Sequence, residues 1–211
     1  MAVKAVFFDV GETLFDETRL WDSWAEALRI PRFTFHATLG GVIARGEDHR
    51  RVFSLLRPDL NDEEFLRERT DVPHWGRDDL YDDALPCLHE LRARGYRVGA
   101  AGNTTVEAED ALRRCGFEFD AIGSSASWRV WKPSPLFFAR IGELAECEPY
   151  EIAYVGDRVD NDVVPAATAG LVPIFIRRGP WAMLHGERPE ASVARARIDS
   201  LAELPEVLRD L

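Results

Sequence analysis

The sequence predicts an α/β protein built on a doubly wound parallel sheet, with a small all-helical insertion near its N-terminus. Short apolar runs recur along the 211 residues, and segments with helical spacing follow several of them. The runs are continuously apolar rather than alternating, which is typical of strands covered on both faces. A helical stretch interrupts this alternation after the first run, and it predicts the insertion.

Four apolar runs are candidate strands, and they span residues 4–10, 96–101, 151–155 and 172–176. Two segments with helical spacing, 84–94 and 108–115, each end at a glycine, which is the usual C-terminal signal of a helix. Ligands of doubly wound sheets bind at the carboxyl ends of the strands. Asp9, Asn103 and Asp157 fall at such ends and are therefore candidate functional residues.

The insertion is predicted over residues 15–79, which leaves a core of residues 1–14 and 80–211. Its candidate helices span residues 20–30, 47–57 and 62–70, separated by Pro31, Gly40-Gly41 and Pro58. Because the insertion leaves and re-enters the core beside Asp9, we expect it to act as a cap over a site there.

Composition excludes several classes of partner and site. With 26 basic and 37 acidic residues the net charge is −11, so neither nucleic acid nor an anionic membrane is an expected partner. Neither of the two lysines, Lys4 and Lys132, follows a glycine, which excludes a P-loop. The three cysteines are widely separated, which argues against a disulfide scaffold or a zinc site. The first apolar run is too short for a signal peptide or a membrane span, so we expect a cytoplasmic protein.

Three segments carry candidate chemistry. Asp9 stands where the first strand gives way to a glycine turn, and an aspartate there can attack phosphorus to form an acyl phosphate. Asp157 and Asp162 lie on one loop, and such oxygen ligands suit Mg²⁺. Lys132 precedes a proline in a chain that uses arginine at 24 of its 26 basic positions, which favours a specific need for a compact ammonium. Taken singly, each feature also fits an ordinary turn or surface residue.

In combination, these segments resemble the haloacid dehalogenase superfamily. Asp9-x-Gly-x-Thr13, Gly102-Asn103, Lys132-Pro133 and Gly156-Asp157-x-x-x-Asn161-Asp162 occur in the order and spacing of its four motifs. The resemblance implies a Rossmann-like core, a helical cap and Mg²⁺ as cofactor. It also implies hydrolysis of a small phosphorylated metabolite through an aspartyl phosphate.

The resemblance further implies a role for each motif residue. Asp9 would be nucleophile and metal ligand, and Gly11 would bind the metal through its carbonyl oxygen. Lys132 would neutralise charge on the phosphate and on Asp9, while Asp157 and Asp162 would hold the ion directly or through water. The expected phosphate-binding residues are Gly102, Asn103, Thr104 and Lys132.

Two positions depart from the family pattern. Gly11 stands where phosphatases of this superfamily usually carry a second aspartate, a general acid and base worth ~10²–10⁴-fold in rate. The adjacent Glu12 is expected to point in another direction. Gly102 stands where a Ser or Thr hydroxyl normally donates to phosphate, and the Asn103 N–H or the hydroxyl of Thr104 or Thr105 could substitute for it.

These departures leave two alternatives open. One is a catalytically weakened relative that binds a phosphometabolite or a partner protein without useful turnover. The other is a 2-haloacid dehalogenase, which attacks carbon with the same nucleophile and needs no Mg²⁺, although the segment Gly156–Asp162 favours phosphorus chemistry. Arg129 lies beside the motif residues and could reach a substrate anion.

Overall fold

The structure, a computed structural model, describes residues 2–59 and 75–211. The chain divides into two compact units, a core formed by Met1–Asp16 with Trp75–Leu211 and a helical unit formed by Glu17–His74. These boundaries differ by a few residues from the predicted ones. Phe15 and Trp75 both belong to the core, where their rings stack with centroids 5.2 Å apart.

The core contains a six-stranded, wholly parallel sheet in the order β3-β2-β1-β4-β5-β6. Its strands are β1 Ala5–Phe8, β2 Arg97–Gly102, β3 Ala121–Ser124, β4 Ile152–Gly156, β5 Val172–Ile176 and β6 Ala196–Ile198. This is the order of a doubly wound sheet whose strand order reverses between β1 and β4. The predicted fold class is therefore confirmed.

Helices cover both faces of this sheet. Those of the core are α4 Ala84–Ala93, α5 Val106–Arg114, α6 Ser125–Trp128, α7 Pro135–Ala145, α8 Val164–Thr168, α9 Gly179–His185 and α10 Leu204–Arg209. Alternate β1 residues show the two-sided burial: Val6 and Phe8 pack with Leu88 of α4, whereas Phe7 packs with Phe137 of α7. None of the described helices is long and apolar enough to cross a membrane.

The described part of the helical unit contains α1 Thr18–Leu28, α2 Arg32–Ala44 and α3 Arg51–Leu56. Helix α2 runs through Gly40-Gly41, so the prediction that these glycines separate two helices is wrong. Each helical glycine costs ~1 kcal/mol relative to alanine. Burial of Phe35 and Ile43, worth ~1.5–3 kcal/mol per large apolar side chain, offsets that cost. The candidate helix over residues 62–70 lies outside the described residues.

Candidate active site

The candidate site lies at the carboxyl ends of the three central strands. Asp9 follows β1, Asn103 follows β2 and Asp157 follows β4. The N–H of Asp9 donates to the carbonyl oxygen of Val155 at 2.8 Å, which continues the β1–β4 ladder one residue past the end of β1. The sheet therefore fixes the point at which the Asp9 side chain emerges, and both Asp9 and Asp157 are buried there.

Lys132 joins two of the acidic residues through a buried ammonium. Its Nζ donates to Asp9 Oδ1 and to Asp162 Oδ1, both at 2.6 Å, and lies 3.1 Å from the Tyr154 hydroxyl oxygen. Burial acts to lower the pKa of Lys132, but the charges of Asp162 and Asp9 raise it well above its usual value. The side chain is 2% exposed, so a charged ammonium is held between two carboxylates.

The side chain of Asn103 holds the segment that carries Lys132. Asn103 Nδ2 donates to the carbonyl oxygen of Lys132 at 3.0 Å, and the N–H of Lys132 donates to Asn103 Oδ1 at 2.8 Å. Both ends of the amide are thus engaged with the backbone of one residue. Asn103 therefore links the end of β2 to Lys132.

The rest of the predicted phosphate-binding segment forms a turn after β2. The Thr104 N–H donates to the carbonyl oxygen of Gly102 at 2.9 Å. Thr105 serves as N-cap of α5, because its hydroxyl accepts from the N–H of Ala108 at 3.4 Å. The Thr105 hydroxyl is thus used to cap the helix. Of the two threonines that the sequence offers as hydroxyl donors to phosphate, this leaves the half-buried Thr104.

Gly102 leaves room for the Asp9 carboxylate. A Cβ atom at position 102 would lie 2.7 Å from Asp9 Oδ1 and 3.0 Å from Val10 Cγ2, and the first distance is shorter than real Cβ contacts. Asp9 Oδ1 is the same oxygen that accepts from Lys132. The glycine is therefore matched to the observed Asp9 conformation.

Three buried carboxylates face one another at this point. Oxygen atoms of Asp9, Asp157 and Asp162 all lie within 4.8 Å of each other. Burial and the neighbouring carboxylates raise the pKa of Asp157 well above its usual value. Burial likewise raises the pKa of Asp162, to about 6, although Lys132 opposes the shift. Among the described residues Asp157 Oδ2 has no hydrogen-bond partner, and a hard cation would satisfy it.

The backbone after β4 brings Asp162 back to the end of that strand. Residues Val159–Val163 form a π-helical turn, a geometry that often occurs at functional sites. The Arg158 N–H donates to Asp162 Oδ2 at 2.9 Å. A Cβ atom on Gly156 would lie 2.5 Å from the Asp162 side chain, so glycine permits this approach.

Glu12 has a left-handed backbone with φ 53°, which costs a residue with a Cβ about 1–2 kcal/mol. Its carboxylate is buried and accepts from the Tyr81 hydroxyl at 2.6 Å. The Glu12 side chain also packs against Gly179, where a Cβ atom would lie 2.7 Å from Glu12 Cβ. The carboxylate next to Gly11 is thus engaged with Tyr81.

Two arginines near the motifs differ in their surroundings. The Arg158 guanidinium donates to Asp160 Oδ1 at 3.1 Å and Oδ2 at 2.7 Å, and it lies 5.0 Å from the Trp181 ring centroid. Arg129 is exposed and has a left-handed φ of 54° at the end of α6. Arg158 is therefore committed to Asp160.

The structure brings Asp9, Lys132, Asp157 and Asp162 together. The strand-end pattern predicts this for Asp9 and Asp157, and the family resemblance implies it for Lys132 and Asp162. Sequence reasoning missed Tyr154, although a hydroxyl inside an otherwise apolar strand was a usable signal. It also missed Arg178, which contacts Thr13 and Asp83 at separations of 165 and 95 residues. No local pattern indicates contacts of that range.

Comparisons with known proteins agree with this geometry. A profile described as "haloacid dehalogenase-like hydrolase" matches residues 3–170. The chain is 30% identical over 230 residues to a glyceraldehyde 3-phosphate phosphatase of Methanopyrus kandleri, covering 99% of this chain and 98% of that protein. The match spans essentially the full length of both chains.

Solved structures with the same architecture include a HAD phosphatase from Thermococcus onnurineus. It superposes with a TM-score of 0.62 and 26% identity, covering 98% of each chain. An L-2-haloacid dehalogenase from Xanthobacter autotrophicus gives a TM-score of 0.73 at 22% identity, covering 99% of each chain. At that identity, the second likeness establishes a shared fold and nothing about the reaction.

Proposed function

Because the chain belongs to the haloacid dehalogenase-like hydrolases, we propose that it is a Mg²⁺-dependent phosphatase acting on a small phosphorylated metabolite. The profile match confirms the predicted family and the prediction of a hydrolytic enzyme. The observation that carries the proposal is the buried group of Asp9, Asp157 and Asp162, with Lys132 paired to two of them. Relatives named as phosphatases of glyceraldehyde 3-phosphate and phosphoserine support phosphorus chemistry.

Asp9 is the proposed nucleophile. A carboxylate oxygen of Asp9 bonds to phosphorus while the bond to the leaving oxygen breaks, and the leaving group takes that electron pair. Water then hydrolyses the aspartyl phosphate, which releases inorganic phosphate and restores the carboxylate. Lys132, 2.6 Å from Asp9 Oδ1, offsets the negative charge that the phosphate brings to this site.

The proposed metal ligands are Asp9, the carbonyl oxygen of Gly11, Asp157 and Asp162. The unsatisfied Asp157 Oδ2 and the shared burial of the carboxylates support a cation at this place. When bound, Mg²⁺ supplies positive charge that neutralises phosphate oxygens. The turn formed by Gly102, Asn103 and Thr104 is the proposed phosphate-binding segment.

We also propose that the helical unit acts as the cap that selects the substrate. Its position in the chain, between β1 and the rest of the core, supports this role. Gly11 offers no side chain to protonate a leaving group. Phosphate esters with good leaving groups should therefore be hydrolysed fastest.

Phosphate release with Mg²⁺ tests the proposed function. The substrates are an aryl phosphate, glyceraldehyde 3-phosphate and phosphoserine, and the proteins are the wild type, Asp9→Asn and Asp199→Asn. Asp199 is an exposed carboxylate outside the site, so we expect its variant to match the wild type. Asp9→Asn should lose release to background.

Two results of these assays would contradict the proposed phosphatase and point to another function. If no substrate is hydrolysed above the Asp9→Asn background, the protein is a catalytically weakened relative. Halide release from a 2-halo acid without added metal, lost in Asp9→Asn, would identify a dehalogenase.

A further inference from the structure

A second polar cluster of the core lies against the loop that follows β1. Its centre is Arg178, which lies after β5 and has a side chain only 10% exposed. One guanidinium nitrogen donates to the carbonyl oxygen of Thr13 at 3.0 Å, and another donates to Asp83 Oδ2. The guanidinium also lies over the Tyr81 ring, 4.0 Å from its centroid. A single side chain therefore joins three segments that are distant in sequence.

Tyr81 continues this contact to the residues beside Thr13. Its hydroxyl donates to Glu12 Oε2 at 2.6 Å, and its N–H donates to the carbonyl oxygen of Leu14 at 3.0 Å. Arg178 and Tyr81 together thus contact three consecutive residues of the loop. A left-handed backbone such as that of Glu12 persists where its surroundings hold it in place, and these contacts do so.

Asp83 fixes the orientation of Arg178. Asp83 Oδ2 also accepts from the Ser200 hydroxyl at 2.6 Å and from the Leu201 N–H at 3.0 Å. Burial acts to raise the pKa of Asp83, but the hydrogen bonds from Arg178 and Ser200 lower it below its usual value. The cluster is therefore anchored by a carboxylate to the segment after β6, away from the loop that it holds.

We propose that Arg178 is a positioning residue for the reaction, acting with Tyr81 to hold residues 12–14 so that Asp9 and Gly11 keep their places. This role rests on the proposed function, because it concerns the same site. It requires a planar, forked side chain. A lysine could reach one of the two acceptors, but it could not donate in both directions while lying flat on Tyr81.

Kinetics and thermal unfolding of three variants test this role. Arg178→Gln should lower kcat for the aryl phosphate ~10–100-fold with little change in KM, because a displacement of about 1 Å costs that much. Arg178→Lys keeps a positive charge beside Asp83. It should therefore recover most of the thermal stability but not kcat. Tyr81→Phe keeps the ring and loses only the bond to Glu12, so its kcat should fall less.

The matched control is Arg177→Gln. Arg177 is the preceding residue, is 51% exposed and pairs with Asp199 at 3.2 Å, so its variant should keep the kcat and melting temperature of the wild type. A wild-type kcat in Arg178→Lys would mean that only the charge beside Asp83 matters and would overturn the positioning role. A loss in Arg178→Gln no larger than its loss of folded protein would overturn it as well.

Amide hydrogen exchange separates a failure of this role from a failure of the proposed function. If the wild type releases no phosphate, the proposed function fails, and exchange at residues 11–15 decides the positioning role. Exchange there, measured without metal, should be faster in Arg178→Gln and Arg178→Lys than in the wild type and Arg177→Gln. Equal exchange in all four proteins would overturn the role of Arg178.

Discussion

Gly102 decides how Asp9 can be placed, although its own position in the family pattern normally holds a hydroxyl residue. We predict that Gly102→Ser, which restores the common residue, lowers activity. Its Cβ would start 2.7 Å from Asp9 Oδ1, so Asp9 would have to leave the conformation in which it meets Lys132. The expected loss in kcat/KM is ~10–100-fold, typical of a misplaced reacting group.

Steady-state phosphate release from the aryl phosphate measures this loss. The control is the same substitution at a glycine with open surroundings. Gly142 in α7 is suitable because, apart from its chain neighbours and the backbone of its own helix, no described atom would lie within 4 Å of a Cβ there. Gly142→Ser should keep the wild-type kcat/KM. Activity equal to or above the wild type in Gly102→Ser would show that Asp9 works equally well in another conformation.

Tyr154, in β4, links Lys132 to strand β2, which lies on the other side of β1 in the sheet. Its hydroxyl accepts from Lys132 Nζ and donates to the carbonyl oxygen of Ala101 at 2.8 Å. Burial raises the pKa of Tyr154, so the phenol keeps the proton that it donates. We predict that Tyr154→Phe lowers the free energy of unfolding by about 1–3 kcal/mol, because Ala101 loses its donor in a buried place.

Chemical denaturation and phosphate release together check this prediction. Without the hydroxyl, the Lys132 ammonium keeps its hydrogen bonds to Asp9 and Asp162 but loses the one to Tyr154, so we expect kcat to fall several-fold as well. Tyr150 is 45% exposed, and Tyr150→Phe provides a control with the same chemical change. Equal stability of Tyr154→Phe and the wild type would mean that the buried hydroxyl contributes nothing net.

At the scale of elements, the sequence predicts a strand where a continuous run of apolar residues marks it. Strands β1, β2, β4 and β5 were predicted because each is a run of apolar residues next to a turn signal. Strands β3 and β6 were missed because neither is a continuous apolar run: Gly123 and Ser124 interrupt the first, and Arg197 interrupts the second. Their place in the sheet comes from pairing with β2 and β5, which no local pattern expresses.

The candidate site likewise contains residues that a local sequence pattern marks and residues that only the folded chain brings together. Asp9, Lys132, Asp157 and Asp162 could be nominated because each stands in a short pattern at a strand end or before a proline. Arg178 could not, because its partners come from loops that only the folded sheet brings together. Local signals therefore predict the residues at the centre of the site, and tertiary contacts supply those that hold them.

Gly142 in helix α7 is a position at which a substitution should stabilise the protein. The residue lies inside a helix of eleven residues, and no described atom outside its chain neighbours and the backbone of that helix would lie within 4 Å of a Cβ there. We predict that Gly142→Ala raises the free energy of unfolding by ~0.5–1 kcal/mol, the difference in helix propensity. The melting temperature should rise by about 1–4 °C for a chain of this size.

Thermal and denaturant unfolding measure this effect, with activity unchanged because Gly142 lies outside the candidate site. Gly156→Ala is the contrasting variant. Its Cβ would lie 2.5 Å from the Asp162 side chain, so it should destabilise the protein or displace Asp162. A destabilised Gly142→Ala would indicate that the helix needs glycine there for close packing.

For the whole molecule, the candidate metal site makes stability depend on pH and on Mg²⁺. In the folded, metal-free protein the pKa values of Asp157 and Asp162 are raised, the latter to about 6, so both groups keep their protons to higher pH than in the unfolded chain. The unfolded chain releases protons from aspartate near pH ~4. Between these values the folded state binds more protons, so this contribution to the free energy of unfolding falls as pH rises from ~4 through about 6.

Mg²⁺ should reverse this loss, because a cation displaces the protons and binds the carboxylates in their charged form. We therefore predict that the rise in melting temperature on adding excess Mg²⁺ is small near pH ~4.5 and grows up to pH ~7. Thermal unfolding in EDTA and in Mg²⁺ across this range measures it. Asp83 and Glu109 have lowered pKa values and act in the opposite direction, but they contribute equally with and without metal.

The Asp157→Asn variant tests whether the dependence of stability on pH and Mg²⁺ comes from the candidate metal site. An amide keeps the shape of the side chain but needs no buried charge. In EDTA at pH ~7 we therefore expect it to be more stable than the wild type by about 1–3 kcal/mol. The same variant should gain no stability from Mg²⁺ and release no phosphate. If it is less stable than the wild type in EDTA, or if Mg²⁺ stabilises the wild type equally at all pH values, Asp157 does not form part of a cation site.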